Sequence, residues 1–258
     1  MLVAGPPCQG FSTLGTRDKS DPRNALSLKV AAWAAALAPD VVVVENVPTF
    51  LDSRYWVRFK ATLERLGYQT ASIVLNAADY GLPQIRRRCF AFASRIGLPE
   101  IDWPRPQELR TVRDAWEGLP PQPTGLNAHV APKPSALALA RMEVIPPGGD
   151  KRDVLRIAPH LAPDSWWKIR SEATDVWGRM HWDKPANTLR TALLNASKGR
   201  YIHPEQNRVM TLREAARLQS IPDHWQFMGT PYQVARQIGN GVPLVLGRLV
   251  ARAVKALF

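Results

Sequence analysis

At 258 residues, with 45% apolar and 22% charged side chains, the chain has the balance of a soluble protein able to bury a sizeable core. Its formal charge of +12 and isoelectric point near 10.2 point to a polyanionic partner, because neutralising phosphates is the main source of non-specific nucleic-acid affinity. Two cysteines, Cys8 and Cys89, exclude a disulfide framework or a cysteine metal cluster, and no apolar run is long enough to span or anchor in a membrane.

The predicted elements alternate at first. Residues 2–5 read as a buried strand. The alanine- and leucine-rich stretch Asn24–Leu37 reads as a helix ended by Pro39. Val41–Val44 is a β-branched run suited to a central parallel strand covered on both faces. Tyr55–Leu66 reads as a helix stopped by Gly67, and Thr70–Leu75 and Cys89–Ala93 as two more strands. Such alternation implies an open α/β sheet with helices on both sides. From about Trp103 the texture changes. Residues 105–205 hold 12 of the 23 prolines and five of the nine tryptophans, and periodicity fades into a loop-rich region. Thr211–Gln219 reads as a helix with Thr211 as N-cap and Glu214 completing a capping box. Leu244–Leu257 reads as a last helix that packs back on the first domain. The reading divides the chain into 1–104, 105–205 and 206–258.

The basic excess is spread out: 12 basic against 9 acidic residues in 1–104, 15 against 11 in 105–205, and 7 against 2 in 206–258. Charge alone therefore marks no single footprint. Met1 opens directly onto a core strand with no visible leader, and a reducing cytoplasmic setting that preserves a thiol is expected.

Chemistry concentrates near the N-terminus. Ala4-Gly5-Pro6-Pro7-Cys8-Gln9-Gly10-Phe11-Ser12 puts a cysteine between a short apolar run and a glycine-containing loop, with two prolines stiffening the approach. Further on come Glu45-Asn46-Val47 after the valine run and Gln84-Ile85-Arg86-Arg87-Arg88. Later still come Arg213-Glu214-Ala215-Ala216-Arg217-Leu218-Gln219 with Ile221-Pro222-Asp223, and Gln237-Ile238-Gly239-Asn240-Gly241-Val242-Pro243. In this order the five motifs resemble those of the DNA cytosine-5 methyltransferases. The stretch Gly178–Leu189 also resembles a recurrent segment of that family.

The resemblance implies an α/β fold: a partial Rossmann-like methyltransferase sheet with a smaller, loop-rich target-recognition domain. It implies double-stranded DNA as partner and S-adenosylmethionine as cofactor. Cys8 would be the nucleophile that attacks carbon 6 of a cytosine rotated out of the duplex, which makes carbon 5 enamine-like. Glu45, at a strand end where burial would raise its pKa, would serve the N3 side of the ring. Arg86 and Arg88 sit two apart on an extended segment and would face the same way. One would fix the base O2, the other a phosphate or Glu45. Arg87 reads as solvated. Asn46 would bond loop backbone groups, or simply make a turn. Gln9, Ser12 and Thr13 offer phosphate donors or plain loop solvation, and Gln84 contacts DNA or supports the loop. Pro7, Asn240 and Gly241 would line the cofactor side. Gly241 stands where the family usually has Ala or Ser.

One family feature is not found. No Phe-x-Gly-x-Gly loop precedes the cysteine, so roughly 60–90 residues of strand–helix units holding the cofactor half-site are expected to be missing. A misplaced start, a truncated gene or a separate chain supplying those motifs would each account for it, and the chain alone is expected to methylate little. Two other functions stay open: a non-catalytic DNA-binding remnant or regulatory subunit, and a tRNA cytosine-5 methyltransferase on the same scaffold.

Overall fold

The computed structural model describes residues 1–7, 21–99, 108–168 and 175–258. They form two compact units, the first from residues 1–76, 87–105 and 246–258, the second from 77–86 and 106–245.

The first unit is built on a four-stranded sheet. β1 (Leu2–Ala4), β2 (Val41–Asn46), β3 (Gln69–Asn76) and β4 (Arg87–Ser94) lie in the order β1-β2-β4-β3. β1 is parallel to β2, whereas β4 is antiparallel to both β2 and β3. The valine run is thus central, but it has a parallel neighbour on one side only, which corrects the expected arrangement to a mixed sheet. The reason lies in a loop length. Only residues 77–86 separate β3 from β4, too few for a helical crossover of a dozen or more residues. The chain therefore turns back, and the Ala77 N–H closes the excursion on the Arg86 carbonyl at 3.0 Å.

α1 (Leu26–Leu37) and α2 (Arg54–Arg65) cover one face of this sheet. Val30, Ala31 and Ala34 of the first and Phe59 and Leu63 of the second pack with Val42, Val44, Ala91 and Ala93. Each large aliphatic or aromatic side chain fully buried here contributes about 1.5–3 kcal/mol. α1 follows a short 3-10 turn at Pro22–Ala25, and α2 is capped by Ser53, which accepts the Trp56 N–H at 3.1 Å. On the opposite face Val41, Val43, Phe90 and Phe92 are also buried.

The second unit is mostly helix and loop. It contains α3 (Val112–Trp116), α4 (Ala136–Glu143), α5 (Lys151–Ile157), α6 (Asp164–Lys168), α7 (Leu212–Leu218) and α8 (Pro231–Asn240). One cluster joins Trp116, Met142, Met180 and Leu193 to Leu212, Ala215, Val234 and Ile238. α7 and α8 therefore belong to this core. The return to the first unit, expected from residue 206, begins at Leu246, inside α9 (Leu244–Lys255). No helix among the described residues is long and apolar enough to cross a membrane.

With few regular ladders, this unit is held by buried polar groups. Arg179 donates to the carbonyls of Ile145 (2.9 Å), His203 (2.9 Å), Gln206 (2.9 Å) and Met142 (2.6 Å) and to Oδ1 of Asn207 (2.7 Å). Glu214 closes the capping box foreseen with Thr211 and also holds Arg208 through two bonds of 2.9 and 2.8 Å.

His203 lies beside Trp116 and Trp182, with ring centroids 5.4 Å away in each case, and its Nδ1 accepts the Glu205 and Gln206 N–H groups. Burial, and then the charge of Arg208, push its pKa down to about 4. The neutral ring is the folded form, so its stabilisation is complete above pH 6.5 and is lost as pH falls toward 4. Urea titrations should show about 2 kcal/mol less stability at pH 5 than at pH 7 from this residue. His203→Gln should reduce that pH dependence while lowering stability at pH 7.

Candidate active site

Glu45 follows four valines in β2. Side chains alternate along a strand, so it shares a face with Val41 and Val43. The antiparallel register sets Glu45 opposite Phe90 and Asn46 opposite Cys89. Arg88, two residues before Phe90, therefore stands on the Glu45 face, in the diagonal cross-strand position that long side chains reach. Its Nε lies 3.0 Å from Oε1 of Glu45, with both side chains largely shielded. The planar guanidinium fixes the orientation of the carboxylate as a rotating ammonium would not. The second oxygen lies toward β1: a Cβ built on Gly5 would be 3.9 Å from Oε2.

Asn46 is buried on the other face. Its Nδ2 donates to the Pro6 carbonyl at 3.2 Å and its Oδ1 accepts the Val47 N–H at 2.9 Å. The end of β2 is thereby tied to the backbone two residues before Cys8. Pro7 is half-buried. Cys8, Gln9, Ser12 and Thr13 lie outside the described residues.

Cys89 occupies the same face as Asn46, fully buried with Phe50 and Tyr55, and its thiol donates to the Val47 carbonyl at 3.2 Å. Burial first, then the charge of Glu45, push its pKa up to about 12. A thiol held in its neutral form is a poor nucleophile.

Two of the assigned residues do not present themselves to a ligand. Arg86 is 1% exposed, and its guanidinium donates to the carbonyls of Leu189 (2.9 Å), Gly239 (2.8 Å) and Gly241 (3.1 Å). Those three carbonyls belong to the second unit, whereas Arg88 pairs with Glu45 in the first. Gln84, expected at DNA, is fully buried. Its amide nitrogen donates to the Leu218 carbonyl and Oε1 of Gln219, both at 3.2 Å, and its oxygen accepts the Leu189 N–H at 2.9 Å. It supports the loop, the other role considered for it. Arg87 is exposed.

The later motifs are tied together by the same groups. Gln219 donates to the Ile238 carbonyl at 2.8 Å. Arg213 is buried and bonds Asn127, Pro222 and Trp225, while Arg217 pairs with Asp223. Asn240 is exposed at the end of α8, on a shallow cavity of about 510 Å³ that Gln233, Arg236 and Gln237 also line. Among the described residues no group of three or more His, Cys, Asp and Glu could hold a metal ion.

Residues 1–256 match the family described as C-5 cytosine-specific DNA methylase. The chain belongs to that family. It is 35% identical over 270 residues to the type II methylase M.HgiDII of Herpetosiphon aurantiacus, covering 99% of this chain and 75% of the relative. It is also 35% identical over 268 residues to the type II methyltransferase M1.HphI of Haemophilus parahaemolyticus, covering 98% and 68%. Among solved structures it is similar to the Entamoeba histolytica methyltransferase EhMeth, with a TM-score of 0.66 and 14% identity over 98% of this chain and 76% of that one. Dnmt2 of S. pombe gives a TM-score of 0.57 at 17% identity, over 99% and 77%. At such identities the last two share the fold.

In this C-5 cytosine methylase the two glycines around Asn240 differ in what they require. A Cβ on Gly239 would stand 2.6–2.7 Å from the backbone of Arg190 and Thr191, so α8 approaches that segment as only glycine allows. Gly241 has φ −58° and a built Cβ meets nothing closer than 3.4 Å. The missing side chain there is no cradle, and what the residue contributes is its carbonyl, which accepts from Arg86. Sequence reading singled out Gly241 and passed over Gly239, although a helical glycine between two motif residues was the available signal.

Two outcomes follow from these contacts. Gly239→Ala should cost about 2 kcal/mol or more in urea denaturation, whereas Gly241→Ala should stay within about 0.5 kcal/mol of the parent or gain slightly. Native iodoacetamide labelling at pH 8, read by mass spectrometry, should leave Cys89 unmodified until the chain is unfolded.

Proposed function

We propose that this chain is the catalytic polypeptide of a DNA cytosine-5 methyltransferase of the restriction-modification type, acting on a cytosine rotated out of double-stranded DNA. The observation that carries the reading is the Glu45–Arg88 pair, set beside Gly5 on the strand that leads to Cys8, with Asn46 holding the Pro6 carbonyl. The type II relatives and the basic composition support DNA as the substrate.

In this reading the Cys8 thiolate adds to carbon 6, forming an S–C6 bond as the 5,6 π electrons shift toward carbon 5 and the N3 side. The Glu45 carboxyl group, in its protonated form, donates its proton or a hydrogen bond to N3 of the ring, and Arg88 keeps it from swinging away. Once the electron-rich carbon 5 has bonded an electrophile (a solvent proton when no cofactor is present), loss of its original proton returns the electron pair to the 5,6 double bond and expels the thiolate from carbon 6. Arg86 and Gln84 take no part in this chemistry and hold the motif loops in shape. S-adenosylmethionine, when bound, supplies an electrophilic methyl group. The exposed Asn240 amide suits the carboxylate of its methionine part, and Pro7 is placed just before the nucleophile.

The first half of this sequence is testable without the cofactor, since addition at carbon 6 makes the carbon 5 hydrogen exchangeable. A pool of duplexes carrying tritium at cytosine carbon 5 should release it with the wild-type chain. Cys8→Ser should abolish release. Glu45→Gln should slow it by about 10²–10⁴-fold and Arg88→Ala by about 10²-fold, with partial recovery in Arg88→Lys. Duplex binding with no release by the wild-type chain would favour the non-catalytic DNA-binding reading, and release only from tRNA would favour the RNA enzyme.

A further inference from the structure

The segment from Ala186 to Arg190 runs alongside residues 83–86, the approach to β4. Ala186 donates its N–H to the Pro83 carbonyl at 3.0 Å, and its own carbonyl accepts the Ile85 N–H at 2.8 Å. The Thr188 hydroxyl donates to the Ile85 carbonyl at 2.7 Å. The Leu189 N–H donates to Oε1 of Gln84 at 2.9 Å, and the Leu189 carbonyl accepts Nη1 of Arg86 at 2.9 Å. These five bonds fix one stretch against the other in a single register. β4 begins at the next residue, Arg87, so the laced stretch ends two residues before Arg88.

The other end of the track is Arg190. Its N–H donates to the Tyr201 hydroxyl at 3.1 Å, its Nη1 donates to the Lys198 carbonyl, and its Nη2 pairs with Asp175. Both partners of the pair are largely shielded, which strengthens a charge-assisted bond. Asp175 opens a four-residue turn, closed by the Gly178 N–H on its carbonyl at 3.2 Å. The third residue of that turn, Trp177, is buried with φ +54°. A bulky side chain rarely adopts this left-handed backbone, and such strain persists only where the surroundings over-determine it. Here the Trp177 ring lies 5.7 Å from that of Trp166 and 5.2 Å from the Arg141 guanidinium, and its N–H is held by the Ala196 carbonyl at 2.7 Å. The turn is thus a fixed point of the second unit, and Asp175 is the side chain that ties it to Arg190.

We propose that Asp175 is a positioning residue for the Glu45–Arg88 pair. It orients the planar Arg190 guanidinium, Arg190 holds the end of the 186–190 track, and the track sets where the chain leaves Arg86 for Arg88. Small displacements passed to a reacting group from a distance cost far more rate than stability. An ion pair that merely stabilised the second unit would lower the urea midpoint and leave Arg88 as it is. The inference rests on the methyltransferase reading for the reaction it serves, and its geometry is tested without that reaction.

The Arg88 Nε–H resonance, identified by its loss in Arg88→Lys, reads the Glu45 pair directly in isotope-labelled protein without substrate. Asp175→Asn should shift or broaden it, and Asp175→Glu should partly restore it. Glu64→Gln, at an exposed ion pair on α2, should leave it unchanged. With duplexes tritiated at cytosine carbon 5, Asp175→Asn should lower the release rate at saturating duplex about tenfold, while the half-saturating concentration stays within about twofold of the parent. Arg190→Lys keeps the charge but loses the fork, and should act in the same direction; it serves as the test variant where Asp175→Asn does not fold. An Arg88 resonance at the parent position in the folded variants would overturn the proposal. So would a loss of release explained wholly by weaker duplex binding. A parent chain that releases no tritium would sink the catalytic reading, and the resonance would still decide this one.

Discussion

The contact between Glu45 and Arg88 depends on the register of β2 against β4. Side chains alternate along each strand, so a slip of one residue would bring Cys89 to the Glu45 face and send Arg88 to the opposite one. The register is held by burial on both sides of the sheet. Val42 and Val44 fit under the helices with Ala91 and Ala93, and Val43 is buried on the other face with Phe90 and Phe92. Each would have to exchange surroundings for the strands to shift. A hydrophobic pattern thus fixes the position of an ion pair, and Asn46, pointing the other way, uses the same register to hold the Pro6 carbonyl.

The second unit solves a different problem. It has little regular sheet, so the carbonyls of its loops need partners, and buried arginines supply them. Arg86, Arg179 and Arg213 are each 3% exposed or less, and each spreads its donors over several main-chain oxygens. Burying a guanidinium costs several kcal/mol unless its donors are satisfied. Here the fork geometry lets one side chain staple segments far apart in sequence. Burial lowers the pKa of Arg179 and Arg213 from the ordinary arginine value. Such residues also temper the electrostatic reading, because the formal charge of +12 counts cations that face the interior.

Much of the fold was legible because its signals are local. The valine run before Glu45, the helix ended near Pro39, and the Thr211–Glu214 capping box all depend on neighbours within a few residues, and all are found. The antiparallel return of β4 was missed although the ten-residue connection forbids a crossover. The two arginines of the motif have different surroundings. Alternation was applied to Arg86 and Arg88 alike, but β4 starts at Arg87, and Arg86 belongs to a loop governed by residues 189, 239 and 241.

The amino-acid sequence by itself determined the family, through motifs in a fixed order, and placed an acid after an apolar strand and a cysteine after a stiffened turn. Those are properties of short segments, set by propensity and spacing. Only the tertiary structure decided which polar side chains stay partly accessible and which are buried in the framework. Arg88, Arg86, Gln84 and Cys89 are adjacent in the chain and chemically eligible for a site. Their fates differ because the partners that claim them come from strands and loops about 40 to 155 residues away.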